Sequence, residues 1–589
     1  MSIAAGGARC GDTTGLGGGM APDLPLARRS RARRGGRLRA RSLVDILRQL
    51  RRPDVIIVFL ALAASLASLG NGFVYDDVPI ILQNRVVHNL AASERIWHSA
   101  YWPAGWLYRP LTIQLFALQW AAGNGSPLVF HVVSILLMAA TALLFWRLAR
   151  RCLPPLPALI GSALFAVHPV HVESVGNVVG QAELLAAACA LLAVERYLAW
   201  REHGVPGSVQ RAALAAVTLI AIISKETGYA IPPLLVLAEI LLAGRGTGVR
   251  KQYRAIAPTL FLQAGVALAG VLVRIIVLGP TTGAGPSAAF TGLSTGERAL
   301  GMLSVVPEWF RLLIWPVHLQ AEYGPPGIPM REAFGPAHFL GILLLGVSLV
   351  LVVVAWRRVP LIAFGIGWAF LTLLPVSNIL TPTGVILAER TLFLPSVGAM
   401  LALAGALALP LSRPEIGPKR PMAIAWVLLA AVILAGAIHS SRRQLVWKEP
   451  AGFVRHLESD APRTYRAQLV ASHFYAETGQ YQAAERSARR ALDLYQLDPR
   501  VYEQLGQMLR RQGRCDEAVP VLADGVTRFP DETVVRSRLF ECALAVGDTG
   551  RARRVAEEGV RLGRTEFRAS LERLRARTSA PGAPSVPPR

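Results

Sequence analysis

The sequence predicts an all-α protein in two parts, a bundle of membrane-spanning helices followed by a solenoid of short helical repeats. Of its 589 residues, 53% are hydrophobic, and the mean hydropathy is +0.41, which is too apolar for a chain of soluble domains. Apolar runs of about 15 to 22 residues recur up to residue 439, and each has about the length that crosses a bilayer as a helix. Beyond residue 447 a period of 34 residues replaces them.

Eleven apolar runs make up the expected bundle, within a membrane domain of residues 43–445. They cover residues 54–70, 127–146, 156–168, 183–200, 211–224, 229–244, 256–278, 337–355, 360–376, 392–410 and 422–439. Lysine and arginine cluster in alternate connections, and basic connections mark the cytoplasmic side. We therefore expect an inner-membrane, multi-pass protein with a cytoplasmic N-terminus. The other connections and the C-terminal domain would lie on the periplasmic, extracytoplasmic side.

The formal net charge of +24 is large enough to suggest a nucleic-acid binder. However, much of the excess positive charge lies in residues 1–42 and in short clusters beside the apolar runs. This is the distribution of topology signals and anionic-lipid contacts, so no nucleic-acid partner is expected. Residues 1–42 hold almost no large apolar side chains, which predicts a disordered basic cytoplasmic arm. The five cysteines include no Cys-x-x-Cys pair, so cysteine chemistry is not expected to be the function.

Three helical repeats are predicted between about residues 465 and 566, in a soluble domain of residues 446–577. Small residues recur every 34 positions: Gly479, Gly513 and Gly547, then Ala484, Ala518 and Ala552, and then Ala491, Gly525 and Gly559. This spacing is typical of tetratricopeptide repeats, whose two helices cross closely at small residues. Such a solenoid offers a concave face to a polypeptide. Residues 578–589, rich in proline, serine and alanine, are expected to be a disordered tail.

Two cysteines, Cys515 and Cys542, fall on neighbouring repeats. If the repeats lie in an oxidising compartment, these cysteines are candidates for a disulfide. Such a bond requires their Cα atoms to lie within roughly 7 Å of each other.

Two adjacent carboxylates, Asp76 and Asp77, follow the first apolar run. An acidic pair held just outside a bilayer suits general-base chemistry, and an ordinary turn started by two aspartates is the alternative. The loop that follows is rich in aromatic residues and ends at Arg109; its aromatic residues include Trp97, Tyr101, Trp102, Trp106 and Tyr108.

The other outer connections also carry ionisable groups, which a structural loop does not require. These groups are Arg109, His168, His171, Glu173, Lys225, Glu226, Glu389 and Arg390. Arg109 is a candidate for contact with a lipid phosphate, with a snorkelling anchor as the alternative. The His-x-x-His-x-Glu pattern resembles a metal-ligand set, but Pro169 interrupts the helix that would align it. A network that orients substrate is therefore favoured over a metal.

Seven short motifs stand in the order found in one family. They are Phe-Val-Tyr-Asp-Asp, Tyr-Arg-Pro-Leu, His-Pro-Val-His-Val-Glu-Ser, Ser-Lys-Glu-Thr, Leu-Ile-Trp-Pro-Val-His-Leu, Leu-Pro-Val-Ser-Asn and Ala-Glu-Arg-Thr-Leu-Phe-Leu-Pro-Ser. Over about residues 54–566 the chain resembles a bacterial member of the transmembrane and tetratricopeptide-repeat protein O-mannosyltransferases, which have the C-type glycosyltransferase fold. It departs from them in its arginine-rich arm and in having only three clear repeats.

The resemblance implies an inverting glycosyltransferase that needs no cofactor. It would move a sugar, most simply mannose, from a polyprenyl-phosphate donor to Ser/Thr hydroxyls of exported proteins held by the repeats. Asp76 or Asp77 would be the catalytic base. Arg109, Lys225 and Arg390 would bind the donor phosphate. The residues expected to orient the sugar or acceptor are Tyr108, His168, His171, Glu173, Glu226 and Glu389.

Two other functions remain open at this point. A related lipid-linked sugar transferase would modify a glycan or a lipid, although the repeats favour a polypeptide acceptor. A non-enzymatic membrane scaffold would recruit partners through its repeats, but it would need one span rather than eleven and no charges at each outer turn.

Overall fold

A computed structural model describes residues 52–102, 105, 107–244, 247–280, 287–330, 334–411 and 419–579. The expected arm of residues 1–42, and the expected tail from residue 580 onward, lie outside these ranges. Within them the chain is helical, and β-type pairing is limited to the isolated bridges Tyr323–Leu387 and Pro326–Thr464. The expected all-α fold class is confirmed.

Among the described residues, eight helical segments are long and apolar enough to cross a membrane. They are Pro53–Gly70, Pro127–Cys152, Val178–Arg201, Glu226–Ala243, Val249–Leu278, Pro336–Arg358, Glu389–Pro410 and Ile424–Trp447. The pair Pro155–Ala166 and Pro169–Gly176 is bent by 45° and makes a ninth if it is one span. Two further apolar helices, Ser208–Ser224 and Pro360–Val376, are shorter. Each of the eleven expected spans coincides with one of these helices.

Proline sets the start of many of these helices. Pro53, Pro127, Pro155, Pro336 and Pro360 each occupy the first turn of a helix. A proline there has the backbone φ that a helix needs, and its missing N–H would have had no partner within the helix.

Ion pairs hold together the ends of several helical segments on one side of the bundle. We call this side the site end. Arg390 pairs with Asp76 and with Glu173 there, and Lys225 pairs with Glu183. The repeat domain joins the same end, because the Gly72 N–H donates a hydrogen bond to the Lys448 carbonyl at 2.9 Å.

The opposite ends form a second group, which we call the basic end. Arg151, Arg201 and Arg358 line one cavity there, together with Pro360 and Leu409. Because Lys225 lies at the site end, the short Ser208–Ser224 helix connects the two ends, as the long segments do. The short helix that starts at Pro360 connects them in the same way, since Arg390 follows it at the site end. By length and composition, eight or nine of the described helical segments are able to cross a membrane.

Shorter helices cover the site end. They are Val78–Leu82, Leu90–Ala92, Ser93–Trp97, Pro110–Gly123, Val178–Gly180, Ala288–Phe290, Thr295–Leu303, Val306–Ile314, Leu374–Val376, Glu389–Leu392 and Leu445–Trp447. Their buried apolar side chains form clusters separate from the main core, including one around Phe116 and Phe130 and one around Trp309 and Leu312.

The C-terminal domain consists of helices joined by short turns. They are Pro450–Asp460, Tyr465–Glu477, Tyr481–Leu494, Pro499–Arg511, Cys515–Arg528, Thr533–Ala545, Thr549–Arg561 and Glu566–Ser579. Gly479, Gly513 and Gly547 follow the first helix of each pair with φ of +76°, +75° and +80°. Glycine alone adopts this left-handed conformation without strain, so it marks the turns of three helix pairs with a 34-residue period.

Candidate functional site

Asp76 and Arg390 meet at the centre of the site end. Arg390 Nη2 lies 3.1 Å from Asp76 Oδ2, and Arg390 Nη1 lies 2.5 Å from Glu173 Oε1. The Arg390 backbone N–H also donates to Glu173 Oε2 at 2.8 Å. The exposed fraction is 13% for the Asp76 side chain but 1% for that of Glu173. Glu173 therefore fixes the arginine, whereas the Asp76 side chain stays partly accessible.

The groups around Asp76 shift its pKa in opposite directions. Burial raises the pKa of Asp76 above its ordinary value, and the Arg390 guanidinium is the strongest influence against that rise. Arg466 and Arg109 also lower the pKa, while Glu322 raises it. Asp76 thus lies among three arginines. Its pKa is nonetheless closer to neutral pH than that of an exposed aspartate, because burial has the larger effect.

Asp77 has different surroundings from its neighbour. Its side chain is buried, and its two carboxylate oxygens accept hydrogen bonds from the backbone N–H groups of Val178 at 3.2 Å and Val179 at 2.9 Å. Burial raises the pKa of Asp77 to about 8, although both amides lower it. Asp77 therefore caps the turn Val178–Gly180 and does not face open solvent.

The residue before this pair ties the loop to the repeat domain. Tyr75 has a φ of +58°, and its hydroxyl donates a hydrogen bond to Glu322. Its ring packs on Phe453, with centroids 5.2 Å apart. Arg466, in the first repeat helix, pairs with the same Glu322 at 3.1 Å. A non-glycine residue keeps a positive φ only where its surroundings hold it, so these contacts determine the shape of the loop.

The other two expected phosphate-binding cations, like Arg390, carry carboxylate partners. Arg109 donates from Nε and Nη2 to Glu226, with its shortest bond at 2.7 Å, and lies over the Tyr101 ring at 4.7 Å. Lys225 pairs with Glu183, and both side chains are buried. Burial raises the pKa of Tyr101, Arg109 and Arg390 act against that rise, and Asp76 adds to it, so all four groups share one electrostatic environment.

The two expected histidines lie away from this cluster. His168 Nδ1 accepts from the Val170 N–H at 3.3 Å, and its Nε2 lies 3.1 Å from the Leu313 carbonyl. Because a carbonyl can only accept, these bonds assign the proton to Nε2. His171 Nε2 lies 2.8 Å from Ser396 Oγ, and its ring packs on Phe393. In this structure both histidines join helices together.

Two more expected residues hold loops in place. Glu389 accepts hydrogen bonds from the Tyr323 hydroxyl at 2.7 Å and from the Gln320 N–H at 2.5 Å. The Tyr108 hydroxyl donates to the Trp97 carbonyl at 2.9 Å. Trp106 lies outside the described residues.

Sequence reasoning did not assign Glu322 or Arg466 to the site. They are 144 positions apart, and neither belongs to a local pattern that would indicate the pairing. Tyr101 belongs to the aromatic loop of the sequence, but its contact with Arg109 appears only in three dimensions, as does the pairing of Glu183 with Lys225. In the described part of the chain, no group of three His, Cys, Asp or Glu side chains is arranged to hold a metal ion.

Comparisons with known proteins place this geometry in a wider context. No model of a protein family matches the chain. The chain is 27% identical over 429 residues to protein O-mannosyl-transferase TMTC3 of Mus musculus, covering 67% of this chain and 46% of that protein. It is 26% identical over 490 residues to protein O-mannosyl-transferase TMTC4 of Mus musculus, covering 73% and 65%. It is 25% identical over 541 residues to protein O-mannosyl-transferase Tmtc1 of Drosophila melanogaster, covering 74% and 60%.

These similarities confirm the expected family resemblance. The chain spans about half to two thirds of the length of these relatives, from 46% to 65%. Together with the apolar helices, they identify a multi-pass membrane protein.

Proposed function

We propose that the protein is a membrane glycosyltransferase that moves a sugar from a polyprenyl-phosphate donor to Ser/Thr hydroxyls of exported proteins. The observation that carries the proposal is the Asp76–Arg390–Glu173 cluster at a membrane surface, directly beside the repeat domain. The names of the relatives, protein O-mannosyl-transferases, support mannose as the sugar.

In the proposed reaction the acceptor oxygen attacks C1 of the sugar. The C1–O bond to the phosphate breaks, and its electron pair leaves with the phosphate. The hydroxyl proton passes to the Asp76 carboxylate, which acts as general base. Attack on the face opposite the leaving phosphate inverts the configuration at C1. Asp76 suits this role better than Asp77, because Asp77 is only 1% exposed and both its oxygens already accept backbone hydrogen bonds.

The cations around Asp76 would stabilise the departing phosphate. Arg109 engages Glu226 through Nε and Nη2, which leaves Nη1 without a hydrogen bond to any described residue. A guanidinium has five N–H donors, so Arg109 can hold Glu226 and a phosphate oxygen together. Lys225 would contribute charge from its buried pair with Glu183, and Arg390 would contribute while it orients Asp76.

The repeat domain would deliver the acceptor. Its first helix reaches the reaction centre through Arg466, Glu322 and Tyr75, and Tyr75 is adjacent to the proposed base. An extended polypeptide on the repeats would therefore approach Asp76 from the repeat side. A transferase for lipids or glycans has no comparable use for this connection.

The purified protein, reconstituted in lipid, tests the proposal. Incubation with polyprenyl-phosphate mannose and a Ser/Thr-rich peptide should add one hexose mass per modified hydroxyl, with an inverted anomeric configuration by NMR. Asp76→Asn is the matched control and should abolish the gain. Sugar that appears only in the lipid fraction, or transfer that survives in Asp76→Asn, would contradict the proposal.

A further inference from the structure

A cavity of about 530 Å³ lies at the basic end, far along the helices from Asp76. The last turns of the Pro127–Cys152, Gln181–Arg201 and Pro336–Arg358 helices place three arginines around it: Arg151, Arg201 and Arg358. Its volume is within the range of small-molecule sites. The proposed reaction makes no use of it.

The lining of the cavity is amphipathic. Its walls are largely apolar, with leucine the commonest side chain, and Leu409 is 49% exposed on the surrounding surface. The acidic residue in the lining is Glu202, which pairs with Arg151 at 2.6 Å. An aliphatic space with cationic groups at the membrane surface matches the two halves of a phospholipid, its acyl chains and its phosphate.

The ion-pair partners of the three arginines show which positive charge at the cavity is not neutralised. Arg151 also pairs with Glu195 at 2.8 Å, and Arg201 pairs with Glu239 at 2.8 Å. In contrast, Arg358 has no ion-pair partner among the described residues, and Arg151 Nε is buried without a hydrogen-bond partner there. Glu195 is shared with Arg196 at 2.5 Å, so four arginines stand against three glutamates among the described residues. The one positive charge left over lies at Arg358 and favours an anion.

We propose that this cavity binds an anionic phospholipid, with its phosphate against Arg358 and Arg151 and its acyl chains along the leucine walls. The alternative is that the basic cluster at these helix ends is only a topology signal, a role for which no cavity is needed. Here the Arg358 guanidinium, which has no ion-pair partner in the described part of the chain, borders an aliphatic space. A topology signal does not require such a space. The site is separate from the proposed catalytic centre and does not depend on its chemistry.

Native mass spectrometry of the full-length protein in neutral detergent tests the proposal. The probes are phosphatidylglycerol, phosphatidylcholine with the same acyl chains, and soluble glycerol phosphate. The wild type should retain phosphatidylglycerol at least about 5-fold better than phosphatidylcholine, the factor expected for one cation near a lipid surface. Arg358→Gln should remove this preference. Arg357→Gln removes the same charge one position away from a side chain that does not line the cavity, and should keep the preference.

Cys152 supplies a second readout, because it lines the cavity and is partly exposed. Phosphatidylglycerol should slow its reaction with a maleimide in the wild type and in Arg357→Gln, but not in Arg358→Gln. Three results would overturn the proposal: equal retention of both lipids, equal binding of glycerol phosphate alone, or protection of Cys152 that is already complete without lipid. The last result would show that a segment of the chain fills the cavity.

Discussion

Arg466 of the first repeat helix pairs with Glu322 of the membrane domain, with Arg466 Nε 3.1 Å from Glu322 Oε2. Glu322 is 4% exposed and also accepts the Tyr75 hydroxyl. This buried connection joins the domain proposed to hold the acceptor to the residue next to the proposed base.

Arg466→Met should weaken this connection. An unpaired buried carboxylate costs about 3–5 kcal/mol, so we expect the Tyr75 loop to loosen and transfer to peptides to fall by about 10-fold or more. Hydrogen exchange of the Tyr75 loop measures the loosening separately from catalysis. Arg463→Met, at an exposed arginine nearby, is the matched control and should change neither. Normal exchange and normal transfer in Arg466→Met would refute the coupling.

Asp76→Asn should reduce sugar transfer, whereas Asp77→Asn should reduce stability. Asp76→Asn removes the proposed proton acceptor, so transfer should fall at least about 10²-fold with an almost unchanged melting temperature. Asp77→Asn turns an amide N–H₂ toward a backbone N–H, which should destabilise the protein by about 1–3 kcal/mol. Its transfer activity should fall only in step with the folded fraction. Measurements of thermal unfolding in detergent and of sugar transfer on the same preparations distinguish the two variants. If Asp77→Asn lost transfer at normal stability and Asp76→Asn were the unstable one, their roles would be exchanged.

Arg390→Gln should change the pH dependence of transfer. Asp76 acts as a base only when it is deprotonated, so kcat/KM should fall as the pH drops through its pKa. Burial raises that pKa and Arg390 lowers it. Loss of Arg390 should therefore move the acid limb to higher pH. The pH profiles of the wild type and Arg390→Gln provide the measurement, and an acid limb that stays in place or moves to lower pH would contradict the model of the base.

Reporter fusions should place the repeats and the basic end on opposite sides of the membrane. A fusion after residue 460 should report an extracytoplasmic location, whereas a fusion in residues 202–207 should report the cytoplasm. The eleven spans expected from the sequence and the basic connections both predict this result. A cytoplasmic signal after residue 460 would reverse the orientation and remove the exported acceptor from the proposal.

Cys515 and Cys542 should form a disulfide on mild oxidation. Their sulfur atoms lie 2.8 Å apart in the structure, so the expected proximity is confirmed. A bond across 27 positions should raise the stability of the repeat domain by about 3 kcal/mol. Non-reducing peptide mapping would detect it, and Cys515→Ser should lose the gain. Free thiols at both positions after oxidation would rule the bond out.

Local patterns in the sequence were enough for much of the architecture. Apolar length predicted the helices between residues 53 and 447, and the recurrence of Gly479, Gly513 and Gly547 predicted the helix pairs. These features arise within a few residues of each other, because helix length and the φ of a turn glycine are local properties. The same patterns indicated that Glu173, Lys225, Glu226 and Arg390 belong to outer connections.

The tertiary structure alone decided what each charged group does. Asp76 and Asp77 are adjacent in the chain, yet one contacts Arg390 and the other is enclosed by the amides of Val178 and Val179. His168 and His171 likewise contact residues that are distant in the sequence, Leu313 and Ser396. Burial and pairing depend on segments more than one hundred positions away in sequence, so no local pattern specifies which of two neighbouring carboxylates faces the open site.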